Sequence, residues 1–128
     1  MNGRALVRAA LAGEATPRVP TGPLAVHLTA AMAGVSMEAY TRDPVVMVDC
    51  VCRYHERFRP DAVWLSADTW VTAEAMGAAV AFPGPGQPMG GTGDTLVETA
   101  ADIDRLPDPD PSSLGRMPVM LEAMAMLR

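Results

Sequence analysis

The pattern of apolar and polar positions predicts short helices and strands that alternate along the chain. Apolar residues at helical spacing mark one side of a predicted amphipathic helix over residues 2–12. A short apolar run over residues 24–28 predicts a strand. Asp43 followed by Pro44 predicts a helix that continues to about Phe58, because aspartate caps helices and proline fits the first helical position.

A second apolar run is followed at once by a short helical pattern. Residues 62–67 have the length and composition of a buried strand, and residues 69–76 are predicted to be helical. In α/β proteins this order places Asp68 at the carboxyl end of a strand, where ligands bind. A site role predicts that the Asp68 carboxylate faces an open crevice. A capping role predicts instead that it accepts a backbone N–H two to four residues later.

The second half of the chain alternates loops with short predicted elements. Residues 78–82 are another short apolar run, and residues 83–93 contain three prolines and five glycines, which predicts a loop. That loop is either a lid over a site or a plain linker. Residues 118–128 predict a helix with proline at its first position. Three methionines at helical spacing favour a core stripe over a soft-metal site: Met117, Met120 and Met124.

Composition and charge exclude several classes of function. The net charge is −5, and the ten basic residues, all arginine, form no cluster, which argues against a nucleic-acid surface. No apolar run approaches the roughly 18 residues that span a membrane. The N-terminal segment has the arginines and alanines of a signal peptide, but Arg8 and Glu14 interrupt it, so we predict a cytoplasmic protein.

The two cysteines lie two residues apart in a predicted helix and therefore point to different sides. Cys52 and His55 share a helical face and are in a position to contribute two ligands to a metal site. A structural zinc site needs four ligands, and His27 is the only other histidine. Free thiols are therefore the favoured interpretation, and no metal site is predicted for this chain.

Several short motifs occur in an order that resembles the N-terminal third of the uroporphyrinogen decarboxylase family. The resemblance covers residues 4 to 128, and no single motif in it is highly specific. The main match is the segment around Asp68. Within it, Asp68 corresponds to the family's aspartate that faces the pyrrole nitrogens of the tetrapyrrole. The matching motifs are Leu65-Ser66-Ala67-Asp68-Thr69-Trp70, Ala75-Met76-Gly77, Arg18-Val19-Pro20, Ala33-Gly34 before Tyr40, and Gly86 with Pro88.

One departure from the family pattern concerns substrate binding. Decarboxylases of the family carry two arginines that grip substrate carboxylates, and this chain has Ala31 and Val35 at those positions. A porphyrinogen with eight carboxylates would lose these anchors. The sequence is therefore closer to the family's methyltransferase branch, which moves a methyl group between a corrinoid cofactor and an acceptor. Those enzymes bind zinc through residues of the C-terminal half.

The resemblance implies an α/β fold, namely the N-terminal portion of a (β/α)₈ TIM barrel. A closed barrel needs about 200 to 250 residues, so residues 1–128, a single domain or fragment, are too few to close one alone. Three origins stay open: a fragment, a split-gene product, or a shortened relative. We expect an open sheet edge in each case, covered by a second chain that supplies the C-terminal half or by a homo-oligomer.

The resemblance implies that Asp68 is the candidate catalytic residue. His27 and Trp70 are the candidate substrate-binding residues because of their positions, near the end of the first predicted strand and at the start of the helix after Asp68. A purely structural histidine is the alternative for His27. The favoured function is corrinoid-dependent methyl transfer in an enzyme that acts on or with a tetrapyrrole. The alternatives are uroporphyrinogen decarboxylation and a non-catalytic, partner-binding subunit. We expect no cofactor on this chain alone, with corrinoid and zinc in the complete enzyme, and no nucleic-acid or membrane partner.

Overall fold

The computed structural model describes residues 1–84, 86–93, 95–108 and 110–128. The described part contains seven helices and two short strands. In chain order they are α1 (Gly3–Leu11), α2 (Val26–Ala33), α3 (Met37–Arg42), α4 (Pro44–Phe58), α5 (Val71–Ala75), β1 (Val80–Ala81), β2 (Met89–Gly90), α6 (Ala100–Ile103) and α7 (Met117–Met126).

Side-chain caps fix the starts of three helices. Asn2 accepts the N–H of Ala5 at 2.9 Å at the start of α1, and Ser36 caps α3. Asp43 accepts the N–H of Val45 at 2.8 Å, and Pro44 occupies the first turn of α4. The predicted helices over residues 2–12 and from Asp43 to Phe58 are confirmed.

The core lies where α4 packs against α2, α3 and α7. Tyr40, Met47 and Cys50 are fully buried there, between Ala30 of α2 and Ala123 of α7. The small alanines let the neighbouring helices approach α4 closely. Of the predicted methionine stripe, Met117 and Met120 pack against this core, whereas Met124 is exposed.

The predicted strand over residues 24–28 is wrong, because α2 begins inside it at Val26. The apolar run continues beyond residue 28 and stops only at Gly34, which ends the helix with a φ of 70°. Val26, Thr29 and Ala30 are buried at helical spacing against the core, so tertiary packing decides the conformation of the run.

Residues 62–67 form neither helix nor strand, which contradicts their predicted strand. A parallel strand needs a hydrogen-bonded neighbour, and no strand among the described residues pairs with this segment. Two side-chain hydrogen bonds hold residues 62–67 in place instead. The Tyr40 hydroxyl donates to the carbonyl of Ser66 at 3.2 Å, and the Trp64 indole donates to the carbonyl of Gly22 at 2.6 Å.

The only sheet in the described residues is an antiparallel pair of β1 and β2. Its register aligns Val80 with Gly90 and Ala81 with Met89. β2 therefore lies inside the predicted loop over residues 83–93, of which Pro85 is outside the described residues.

The class is α/β as predicted. α5 is shorter than its predicted span of 69–76. Within the ranges that the structure describes, no helix is long and apolar enough to span a membrane.

The Asp61 carboxylate holds the loop that precedes α2 in place through hydrogen bonds. The carboxylate accepts from both terminal nitrogens of Arg18 at 2.6 Å and from the N–H of Thr21 at 2.8 Å. The Arg18 hydrogen bonds, with those of Thr21, hold the pKa of Asp61 well below its usual range. The carboxylate is thus stabilised in its charged form, and the contact ties residues 18–21 to the segment that follows α4.

We expect Asp61→Asn to flatten the dependence of stability on acid pH. A carboxyl whose pKa is lowered by folding stabilises the protein above its unfolded pKa of about 3.9, and that contribution is lost as the pH falls toward the folded pKa. The wild-type urea midpoint should therefore fall more between pH 7 and pH 3 than the midpoint of the variant. Asp49→Asn, which removes an exposed ion pair to Arg53, is the control. Equal acid sensitivity of wild type and Asp61→Asn would contradict this role.

Candidate functional site

A pocket of about 420 Å³ lies between the start of α2 and residues 66–69. Leu24, Val26 and Leu28 contribute the apolar part of its lining. His27 and Asp68 also line it, so the structure brings together two of the three predicted site residues. The volume is within the range of small-molecule sites, and the mixture of apolar wall and few polar groups is typical of them.

His27 carries an unusual unsatisfied atom. Its Nε2 is buried and has no hydrogen-bond partner among the residues that the structure describes, and no other buried side-chain nitrogen or oxygen there lacks one. Buried polar atoms are nearly always paired, so an orphan requires an explanation. His27 lines both the pocket and a second cavity of about 340 Å³ between α2 and α3.

The Asp68 carboxylate is turned away from solvent. Its side chain is 0% exposed, so the exposed part of the residue is its main chain. One carboxylate oxygen accepts the N–H of Trp70 at 2.7 Å, and both accept from Arg116. The expectation of a free carboxylate facing an open crevice is therefore wrong for this structure, and the hydrogen bond to Trp70 is the one expected of a cap.

Arg116, which the sequence reasoning missed, completes this arrangement. It is 3% exposed and donates to the carboxylates of both Asp68 and Glu74. Burial lowers the pKa of Arg116, but the hydrogen bonds to the two carboxylates outweigh it, so the net shift is upward. The guanidinium also lies 5.3 Å from the centre of the Phe82 ring, a cation–π distance. We call Arg116, Asp68 and Glu74 the arginine triad; its net charge is −1.

A glycine allows the arginine triad to form. Gly115 has a φ of 55°, and a Cβ at this position would lie 3.0 Å from the backbone nitrogen of Ala75. The chain can therefore pass closely along α5 and place Arg116 beside Glu74. One feature of the sequence indicates a buried arginine with partners. Arg116 is the only charged residue between Leu114 and Leu121 in an otherwise apolar run. An arginine in such a run must have partners if it is buried.

Trp70 does not line the pocket. Its ring packs against the hairpin formed by β1 and β2, where a Cβ built on Gly90 would lie 3.0 Å from the indole. The structure therefore separates Trp70 from His27 and from the pocket surface of Asp68.

A metal site is not found in the described part of the chain, where no group of three or more histidine, cysteine, aspartate or glutamate side chains is arranged to hold an ion. Cys50 is buried and Cys52 is exposed, and both are free thiols. Cys52, His55 and Glu56 line a small cavity of about 200 Å³. Zinc therefore has no ligand set among these residues.

Comparisons with known proteins identify the relatives of the chain. A search of curated proteins gave no match. A solved structure described as a methyltransferase from Methanosarcina mazei aligns with a TM-score of 0.72 at 24% sequence identity. The alignment covers 100% of this chain and 38% of the other, and at this identity it establishes a shared fold.

The family comparison extends over almost the whole chain. Residues 2–128 match the family model described as Uroporphyrinogen decarboxylase (URO-D). This match includes the pocket, the arginine triad and all three predicted site residues. The predicted resemblance is thereby confirmed, and the chain belongs to the uroporphyrinogen decarboxylase family.

Proposed function

We propose that this chain forms part of the substrate pocket of an enzyme that transfers a methyl group in a corrinoid-dependent reaction. The observation that carries the proposal is the lining of the 420 Å³ pocket, which, among the residues that the structure describes, contains His27 and no arginine or lysine. A decarboxylase substrate with many carboxylates would need such cations. The structural similarity to a methyltransferase supports the same choice.

The two positions where decarboxylases carry arginines support this proposal further. Val35 packs against the core, and Ala31 is exposed on α2. Neither side chain can bind a carboxylate. Arg116, which contacts Asp68 behind the pocket wall, is already engaged by Asp68 and Glu74. Decarboxylation of a porphyrinogen is therefore the weaker candidate.

In the proposed enzyme, His27 contacts the substrate as part of the pocket wall. Asp68 is proposed as the catalytic carboxylate, and a direct role requires it to turn from Arg116 into the pocket. Without that turn, Asp68 acts only by holding the wall formed by residues 66–69. The proposed contact of Trp70 with substrate requires the hairpin to move off the indole ring.

The implied cofactors do not fit the described residues of this chain. Zinc lacks a ligand set, as noted above. A corrinoid is far larger than the drug-sized ligands that a cavity of about 420 Å³ accommodates. We therefore assign both groups to other residues of the complete enzyme and derive no step through either.

A partner is proposed to complete the fold. The chain spans 38% of the methyltransferase it matches, and residues 62–67 have no strand partner among the described residues. Val63 is 37% and Trp64 is 60% exposed on this segment. We propose that a second chain supplying the C-terminal half, or a further copy of this chain, covers it, since unpaired backbone and apolar side chains favour association.

A chimera tests the proposed function directly. We expect the 128-residue chain alone to show no methyl transfer from a methylated corrinoid to a thiol. When it replaces the matched 38% of the Methanosarcina mazei methyltransferase, turnover should appear. The original methyltransferase is the positive control, and the same chimera assayed with uroporphyrinogen tests the alternative. Turnover by the chain alone would contradict the need for a partner. A folded chimera that decarboxylates but transfers no methyl group would overturn the main proposal.

A further inference from the structure

Arg116 lies behind the pocket wall and contacts one of the segments that form it. We propose that Arg116 is a positioning residue of the pocket, which holds the Asp68 carboxylate and thereby fixes the orientation of residues 66–69 toward the substrate. The substrate does not need to reach the buried carboxylate, because Ser66 and Thr69 line the pocket on either side of Asp68. This inference rests on, and deepens, the proposed function, since it names a residue that controls the same site.

The first support is the geometry of the contact between Arg116 and Asp68. The two terminal guanidinium nitrogens donate to different oxygens of the carboxylate, Nη1 to Oδ2 and Nη2 to Oδ1, the latter at 3.3 Å. The N–H of Trp70 also donates to Oδ1, at 2.7 Å. A two-point contact fixes the direction of a carboxylate as well as its position, whereas the ammonium group of a lysine acts as a point charge. Arg116 therefore determines how the Asp68 side chain is oriented.

The second support is that Arg116 is itself held in place. Its side chain is buried, and its Nε donates to the carboxylate of Glu74 on α5. Its guanidinium carbon lies 5.3 Å from the centre of the Phe82 ring, which follows β1. The preceding residue, Gly115, lies directly against the backbone of Ala75. These contacts connect Arg116 to α5 and to the end of β1, so the position of its guanidinium group is fixed independently of Asp68.

The third support is the small number of other restraints on the wall. Residues 62–67 have no strand partner in the part of the chain that the structure describes, so no ladder of backbone hydrogen bonds holds them there. At one end of the wall, the Tyr40 hydroxyl donates to the carbonyl of Ser66 at 3.2 Å. The contact between Arg116 and Asp68 acts beyond it. Its loss should let residues 66–69 move, and a displacement of about 1 Å beside a reacting substrate can lower a rate by ~10²-fold.

Relaxation-dispersion NMR of the intact 128-residue chain tests the positioning itself. Arg116→Lys keeps the positive charge beside Asp68 and loses the two-point contact. We expect the backbone amides of residues 66–69 to show microsecond-to-millisecond exchange in this variant and none in the wild type. Asp43→Ala, which removes the cap of α4, is the control for a general loss of stability and should leave residues 66–69 as in the wild type. The absence of exchange at residues 66–69 in Arg116→Lys would overturn the proposal.

Steady-state kinetics of the active chimera test the consequence for the site. The assay uses a methylated corrinoid and 2-mercaptoethanol, at a temperature where circular dichroism shows each variant to be folded. We expect Arg116→Lys to raise the KM for one of these substrates by at least ~10-fold, and Arg116→Met to raise it further. Asp43→Ala should keep the KM values of the unmodified chimera. A residue with a purely structural role would leave KM unchanged in folded protein, so unchanged KM values in Arg116→Lys would also contradict the proposal.

The two experiments separate this inference from the proposed function. If the chimera transfers no methyl group, the proposed function fails, and the NMR result on the chain alone still decides whether Arg116 positions the wall. Arg116→Lys retains both charges of the ion pair, so it decides the question even where Arg116→Met does not fold.

Discussion

Replacing Arg116 with methionine should lower the free energy of unfolding by about 3–5 kcal/mol, the usual cost of breaking a buried ion pair from one side. The Asp68 side chain is 0% exposed, so its charge would remain buried with only the N–H of Trp70 as a partner. Glu74 would lose its partner as well. Methionine keeps an unbranched apolar stem but lacks the guanidinium group, so the loss reports mainly on the removed cation. Urea denaturation followed by circular dichroism measures it.

A matched substitution separates this effect from the loss of any arginine. Arg105→Met removes an ion pair to Asp102 in which the arginine side chain is 78% exposed, so it should lower the free energy of unfolding far less. Adding Asp68→Asn to Arg116→Met should recover part of the stability, because the uncompensated charge is then gone. If Arg116→Met is no less stable than Arg105→Met, the arginine triad is not a stabilising feature.

Asp68→Asn in the active chimera should reduce turnover by at least ~10²-fold, the scale for loss of a positioned acid–base or electrostatic group. Asparagine still accepts the N–H of Trp70, so the capping hydrogen bond is retained while the carboxylate charge is lost. The measurement is kcat at a temperature where circular dichroism shows the variant to be folded.

Glu74→Gln is the control for this experiment. It also removes a carboxylate from Arg116, but Glu74 does not line the pocket. Both variants should lose stability, and only Asp68→Asn should lose turnover. Normal turnover in folded Asp68→Asn would remove this residue from the mechanism and limit its role to the cap and the ion pair.

Local signals in the sequence were sufficient to predict the ends of several helices. Asp43 with Pro44 predicts the start of α4 correctly because a cap depends on atoms only two or three residues away. Family motifs gave the relationship to the uroporphyrinogen decarboxylases and singled out Asp68.

Features that depend on distant partners were not predictable in the same way. The run over residues 24–28 has the composition of a strand, but its last three residues are part of α2, which packs against α4. Residues 62–67 also have strand composition, yet a strand exists only with a neighbour. The pairing of Asp68 with Arg116 links residues 48 positions apart, and no spacing rule connects them.

This separation along the chain has a consequence for the order of folding. The ion pair closes a loop of 48 residues, and the entropy of closing such a loop is lost before the contact contributes any stabilisation. The helical turns of α1 and α4 are closed by local hydrogen bonds, so their formation does not require this loop to close. We therefore expect the arginine triad to form late in folding, when the segment before α7 docks beside α5 and the Asp68 carboxylate leaves water for its arginine.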